Sequence, residues 1–240
     1  MNRKTLLYNG KSKQIFTTDS LNFVLMAYKD DETAYYGVKK STIPNKGALN
    51  NSISSLIFNY LEQNGIYTHF VEQTGEREQL CRRAKALPLE FIVRNVIAGT
   101  LSRRLDIEEG TVPECTIFEI CLKSDILRDP LINPYHVKAL GICNEETLSQ
   151  IQNILQKINE LLSNLLKSVH IDLIDFKVEF GFDTEGKLML IDEISPDTAR
   201  FWDSESHEKL DSDLFCRDLG DIEVAYKEVL TRLESVLNHG

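Results

Sequence analysis

From Ile171 to Ile194 the chain reads IDLIDFKVEFGFDTEGKLMLIDEI, and this stretch constrains the fold most. Ile174, Phe176, Val178 and Phe180 alternate with Asp175, Lys177 and Glu179. Period two predicts a strand, Ile171–Phe180, with one apolar and one charged face. Leu188–Ile194 follows an Asp-Thr-Glu-Gly turn and is its natural antiparallel partner. A two-residue loop at Glu185-Gly186 would set Glu179 opposite Asp192. Opposed like charges destabilise a sheet, and a cation between them reverses the sign. Two carboxylates with phosphate oxygens and water make a typical Mg²⁺ shell. A three-residue loop with a bulge would make the two carboxylates diagonal instead. Two readings stand at this point, a metal site and a salt-bridge network with Lys177.

The rest of the chain mixes strands and helices without steady βαβ alternation, which predicts an α+β fold with antiparallel sheets and packed helices. Asn9-Gly10 between β-formers predicts a hairpin over residues 6–16, with positive φ at both turn residues. Strands are expected at Asn22–Tyr28, Ile66–Glu72, Glu90–Ile97 and Cys115–Lys123. Pro44-Asn45-Lys46-Gly47 opens a helix with Leu49, Ile53, Leu56, Ile57, Tyr60 and Leu61 on one face, and Asn64-Gly65 ends it. A short polar helix is expected over Leu101–Glu109 and a long loop over Ser124–His136. Leu148, Ile151, Leu155, Ile158, Leu162 and Leu166 predict a long amphipathic helix over Glu145–Val169. A single closing helix is expected over Asp213–Leu237.

The 240 residues carry 37 acidic and 27 basic side chains, a net charge of −10, which argues against general nucleic-acid binding. The charge is segregated. Residues 1–13 hold four basic and no acidic side chains, and residues 77–104 seven basic against Glu78 and Glu90. Residues 171–203 hold nine acids against Lys177, Lys187 and Arg200. The five cysteines form no C-x-x-C pair, which argues against a zinc site or disulfide framework. Leu6-Leu7-Tyr8 is too short for a signal core, and Glu90 and Arg94 interrupt the apolar run 87–99. A cytoplasmic protein without membrane partners is expected. P-loop, dinucleotide-fingerprint, zinc-helix and nucleophile-elbow motifs are all absent from the sequence.

Five segments in order resemble one family: Asn9-Gly10-Lys11-Ser12-Lys13, Pro44–Asn51, Pro88–Leu101, Asp175–Gly181 and Asp192–Asp203. They are similar to the phosphoribosylaminoimidazole-succinocarboxamide synthases, the SAICAR synthetase family. The resemblance implies a two-lobed fold related to ATP-grasp enzymes. Residues 1–86 would form a nucleotide-binding lobe and residues 87–240 a substrate- and metal-binding lobe, one compact unit with a cleft between. It implies ATP and Mg²⁺, with L-aspartate and 5-amino-1-(5-phosphoribosyl)imidazole-4-carboxylate (CAIR) as substrates, and a homo-oligomer, a dimer.

The resemblance also implies roles. Lys11, Lys13, Arg82, Ala86 and Lys123 would contact the nucleotide. Glu179 and Asp192 would hold the metal. Arg94, Thr100, Asp129, Asp197 and Arg200 would bind substrate, and Lys13, Lys177 and Asp175 would serve catalysis, Asp175 by ordering Lys177 or holding the aspartate ammonium. Four positions depart from the family pattern: Tyr36 stands where Asn or Asp is usual, Thr100 replaces serine, and Ser124 and Arg128 stand where Asn and Gly are frequent. The rival readings are a ligase of the same fold with other substrates, a small-molecule kinase, and a nucleotide sensor without turnover.

Overall fold

The computed structural model describes residues 1–34 and 39–237; the Tyr35-Tyr36-Gly37 departure lies outside them. In chain order the strands and helices are β1 (Leu6–Asn9), β2 (Lys13–Thr17), β3 (Phe23–Tyr28), β4 (Asp31–Ala34), β5 (Lys39–Thr42) and α1 (Lys46–Gln63). Then come β6 (Phe70–Gly75), β7 (Glu78–Arg82), β8 (Lys85–Arg94), α2 (Gly99–Leu105), β9 (Ile117–Leu122), β10 (Leu131–Ile132) and α3 (Pro134–Ala139). The chain closes with α4 (Glu145–Ser168), β11 (Ile171–Phe182), β12 (Leu188–Ile191), β13 (Ala199–Asp203), α5 (Asp213–Arg217) and α6 (Ile222–Leu237). The expected α+β class with antiparallel sheets is what forms.

Two antiparallel sheets carry the architecture. The first runs β1-β2-β3-β7-β6 and the second β10-β9-β8-β11-β12, with β13 also on β11. Strand β11 is the spine of the second sheet. Its one edge pairs with β8; along the other, β13 takes residues 171–176 and β12 takes 179–182. Between β12 and β13 the 192–198 segment closes the gap, and the Lys177 N–H donates to the Thr198 carbonyl at 2.8 Å. This is why one apolar-charged alternation can gather side chains from three other strands.

The apolar face of β11 meets α4. Phe176, Val178 and Phe180 pack with Phe91, Val93 and the α4 stripe Ile151, Leu155, Ile158, Leu162 and Leu166 in one core. Each such side chain contributes roughly 1.5–3 kcal/mol when fully buried. Asn144 caps α4 by accepting from Thr147 N at 2.8 Å, and Glu145 and Glu146 sit in its positive first turn. Ile53, Ile57, Phe58 and Leu61 of α1 belong to this same core, although α1 precedes the second sheet by some distance in sequence. A smaller cluster of Val24, Met26, Tyr28 and Cys81 fills the first sheet.

Several expectations need correction. The N-terminal hairpin forms, but Lys11-Ser12 is its tip: Asn9 pairs with Gln14, and Gly10 N–H donates to the Lys13 carbonyl at 2.8 Å. Neither Asn9 nor Gly10 has positive φ. The third strand of residues 66–94 is β7, which the sequence reading passed over. The 124–136 loop holds β10 and the start of α3. The closing helix is two helices, because Asp218 takes φ +55° and α5 ends there.

The segment leading into β6 ties the sheets together. His69 N–H donates to the Leu190 carbonyl at 2.8 Å, and Leu190 N–H to that of Tyr67 at 3.0 Å. The His69 ring is buried edge-on against Phe58, with centroids 5.1 Å apart. Burial holds this imidazole neutral, down to about 3; Asp192 works against that shift, and Lys13 and Arg82 reinforce it. The unfolded chain takes up this proton below about pH 6.5 and the folded chain does not until near 3. His69 therefore subtracts stability as pH falls through that window, by about 1.4 kcal/mol per pH unit. Urea unfolding between pH 7 and pH 4 is expected to show this slope, and His69→Phe to flatten it. An unchanged slope in the variant would mean that His69 is not the group responsible.

Candidate functional site

The charged face of β11 is not solvated. Asp175 and Glu179 are buried, and Lys177 is partly so. Register decides what each one meets. Asp175 stands across from Arg94 on β8 and from Arg200 on β13. Its carboxylate accepts from Arg94 Nη1 at 2.7 Å and from Arg200 Nη1 at 2.9 and 3.1 Å. Arg94 Nε also donates to Glu119 at 2.7 Å, and Glu119 takes Arg104 as well. Arg200 Nε donates to Asp213 at 3.1 Å, and Asp213 is shared with Lys209 and Arg217. Burial alone would disfavour the Arg200 cation, but Asp175 and Asp213 outweigh it and raise its pKa above the usual arginine value.

Both arginines are thus fixed before any ligand arrives. Thr100, at the start of α2, is exposed, and its Oγ1 lies 3.4 Å from Arg94 Nη2. Gly99 has φ +57°, and a Cβ there would stand 2.7 Å from Arg200 Cζ. Only glycine lets the guanidinium lie against this backbone. Arg94 and Thr100, six positions apart, therefore converge with Arg200 from far along the chain. Asp175 orders these two arginines and not Lys177, which corrects the first of its expected roles. Lys177 Nζ instead bonds Glu90 at 2.9 Å.

The like-charge confrontation exists, with another partner. Glu179 stands across from Glu90 on β8 and from Ile191 on β12, not from Asp192. The loop is three residues long, Thr184-Glu185-Gly186: Asp183 N–H donates to Lys187 O at 3.0 Å and Gly186 has φ +82°. Asp192 lies one position on, diagonal to Glu179. Glu179 accepts from Lys123 Nζ at 2.5 Å. Burial and the neighbouring Asp192 push its carboxyl up to about 7, with Lys123 pulling the other way. Burial would also raise Asp192, but Lys13 holds its pKa below the usual value.

Lys13 is the cation of that second carboxylate. Its ammonium bonds Asp192 and lies 2.7 Å from Glu193 Oε1. Burial opposes its charge, yet Asp192 and Glu193 hold its pKa well above 10.5. Lys11, at the hairpin tip, reaches Asp125 across the site at 2.7 Å, with both side chains exposed. The first sheet's hairpin and the second sheet's 123–129 segment thus flank the Glu179–Asp192 pair.

Other expected residues are placed differently. Asp197 is half-buried and ion-paired: it accepts from Lys46 and from Tyr226 Oη at 2.6 Å, and Lys46 is itself buried against Glu32 at 2.7 Å. It joins α1, β4 and α6, and its carboxylate is spoken for. Arg82 is similarly committed, to Glu62 and to the Thr68 and Phe70 carbonyls at 2.7–2.9 Å. Ala86 lies exposed on β8 opposite Gly181. Asp129 accepts from Ser124 N at 2.8 Å and so shapes its own loop. The sequence reading missed Glu90, Glu119, Glu193 and Asp213. The signal for the first was available, since Glu90 and Arg94 share a parity within an apolar strand.

Among the described residues no group of three or more His, Cys, Asp and Glu side chains is assembled as a metal cage. The donor set at Glu179 and Asp192 is a carboxylate pair with excess negative charge, and it fits a hard cation whose remaining ligands are phosphate and water. No described helix is long and apolar enough to cross a membrane.

Lysines on paired carboxylates and two carboxylate-fixed arginines gather along the charged face of β11, a set whose chemistry suits phosphorylated anions, on an α+β scaffold of two antiparallel sheets. The sequence profile of SAICAR synthetase matches residues 6–233. A phosphoribosylaminoimidazole-succinocarboxamide synthase of Fusobacterium nucleatum is 52% identical over 233 residues, covering 97% of this chain and 98% of the relative. The crystal structure of the Ehrlichia chaffeensis synthase superposes with a TM-score of 0.94 at 38% identity, over 97% of this chain and 99% of that one. A type-2 SAICAR synthetase in complex with ADP gives a TM-score of 0.93 at 42% identity, over 96% and 98%. The chain belongs to the SAICAR synthetase family.

Proposed function

We propose that this protein joins L-aspartate to the carboxylate of CAIR at the expense of ATP, giving SAICAR, ADP and phosphate in purine biosynthesis. The observation that carries this is the family match along 6–233, with near-complete coverage of relatives half identical to it. An ADP complex of a 42% identical relative supports the nucleotide.

The chemistry calls on the side chains described. A carboxylate is a poor acylating agent, being anionic and without a leaving group. Transfer of the γ-phosphoryl group from ATP to a CAIR carboxylate oxygen gives an acyl phosphate and ADP. The aspartate amine then attacks the carbonyl carbon, phosphate departs with the C–O bond electrons, and the nitrogen loses a proton. Such transfer depends on positioning and charge neutralisation. Lys13 meets phosphate oxygens, and Lys11 and Lys123 close on them from the two flanks. Arg94, Thr100 and Arg200 hold the sugar phosphate, Asp175 having fixed both guanidinium planes beforehand. Lys177, anchored on Glu90, faces the acyl centre. Glu179 and Asp192 would hold Mg²⁺, which neutralises phosphate charge when bound. Arg82 and Asp197 act through the fold, not by contact.

Residues 1–86 form the nucleotide lobe in this reading and 87–240 the substrate lobe. The first sheet ends at Arg82 and β8 of the second begins at Lys85, so the sheets divide at residues 83–84, a few positions before that boundary. A homodimer and a cytoplasmic setting complete the proposal. Exposed apolar side chains at Ile126, Leu127, Tyr135 and Leu140 support an interface between copies.

The test is coupled turnover. ADP release is expected to require CAIR and L-aspartate together. Full-rate ADP formation without any amine would mark a kinase, full rate with another acid or amine a ligase of different specificity, and ADP binding without turnover a sensor.

A further inference from the structure

We infer that Glu193 is the permanent anchor of Lys13, a positioning residue that keeps this ammonium in place when Asp192 is engaged elsewhere. The inference rests on the ligase reading above and adds to it a residue with no assigned role.

The geometry begins with the backbone. Successive side chains on a strand alternate faces, so Asp192 and Glu193 could not both reach one ammonium from a regular strand. Strand β12 stops at Ile191, and Asp192 takes φ +77°. Left-handed backbone is unfavourable for a residue with a Cβ by roughly 1–2 kcal/mol, and Asp is among the few that tolerate it. The kink turns two consecutive carboxylates onto Lys13. A conformation of this kind persists where the surroundings over-determine it, and such positions cluster at functional sites.

The two carboxylates are not equivalent. Asp192 has a side chain 19% exposed and follows Ile191, the residue across from Glu179. The Glu193 side chain is 2% exposed. One of its oxygens faces Lys13 at 2.7 Å, and the other accepts from Ser195 Oγ at 2.8 Å. Ser195 Oγ is in turn close to Asp197 N at 3.2 Å, and Asp197 is held by Lys46 and Tyr226. Glu193 is therefore clamped from behind by the buried joint between α1 and α6. It has no free oxygen to turn toward the cleft. Any cation or phosphate that draws Asp192 away leaves Lys13 with Glu193, fixed in direction.

The test separates positioning from folding. With ATP, CAIR and aspartate saturating, Glu193→Gln is expected to lower kcat roughly 100-fold, the scale of a misplaced catalytic group. ADP affinity, measured by calorimetry, is expected to hold or tighten, because the variant removes a negative charge beside the phosphates. Glu193→Asp is expected to recover most of kcat. An unchanged kcat, a Glu193→Asp variant as slow as Glu193→Gln, or parallel loss of ADP affinity and thermal midpoint overturns the inference. If Glu193→Gln does not fold, Ser195→Ala frees the second oxygen, and an unaltered kcat there has the same force. Absence of wild-type turnover with CAIR and aspartate would instead sink the ligase reading.

Discussion

Asp175→Ala is expected to destabilise the protein by about 3 kcal/mol, the low end of the range for removing one partner from a buried ion pair. The Asp175 side chain is 5% exposed and joins Arg94, 4% exposed, to Arg200. Without it, each guanidinium keeps one other carboxylate, Glu119 or Asp213, so the loss is not the full penalty of two orphaned charges. Substrate binding suffers as well as folding. Arg94 and Arg200 are aimed by a shared carboxylate, and an arginine fork binds phosphate well only when its plane is fixed. CAIR KM is expected to rise at least tenfold, with ATP KM nearly unchanged. Urea unfolding and substrate-by-substrate kinetics check both statements. Stability within 1 kcal/mol of wild type would show that the arginines are held by their other partners. A selective rise in ATP KM would remove them from the sugar-phosphate role.

How much of this could be read from the sequence depended on the kind of information required. Periodicity gave the faces of β11 and α4, because Phe176, Val178 and Phe180 repeat every two residues and Ile151, Leu155, Ile158 and Leu162 every three or four. Periodicity could not supply partners. Asp175 finds Arg94, 81 positions before it, and Arg200 because three strands share a register. That register rests on loop length, and the three-residue Thr184–Gly186 loop moved Asp192 off the position opposite Glu179. Burial of ions was equally hidden. Lys46 reads as the polar start of a helix, since lysine is almost never fully buried unless paired. Its partners Glu32 and Asp197 come from β4 and from the segment before β13. Asp197 thereby became part of the frame, where the family resemblance had suggested substrate contact. Strands β7 and β13 were passed over because one is a charged hairpin arm and the other is only five residues with Arg200 at its second place.

Glu179→Gln and Asp192→Asn are expected to give the largest losses of activity, roughly 10³-fold in kcat, the upper range for removing one electrostatic contact to a transferring group. The two substitutions keep size and hydrogen-bonding shape but remove charge. In the absence of nucleotide they should be tolerated, because Glu179 is buried near Glu90 and Asp192, and its carboxyl is already pushed up to about 7. A neutral side chain there relieves repulsion, so thermal stability is expected to hold or rise for Glu179→Gln. Asp192→Asn differs, since Lys13 loses one of its two carboxylates and keeps Glu193. For both variants the Mg²⁺ concentration giving half-maximal rate is expected to rise at least tenfold, and ADP binding without Mg²⁺ to change little. For Glu179→Gln, stability would then hold or rise while magnesium affinity falls, the signature of a site that accepts internal repulsion in order to receive a cation. Unchanged magnesium demand, with activity lost, would instead assign the pair to the lysine network, with Lys123 and Lys13 as the only cations it serves.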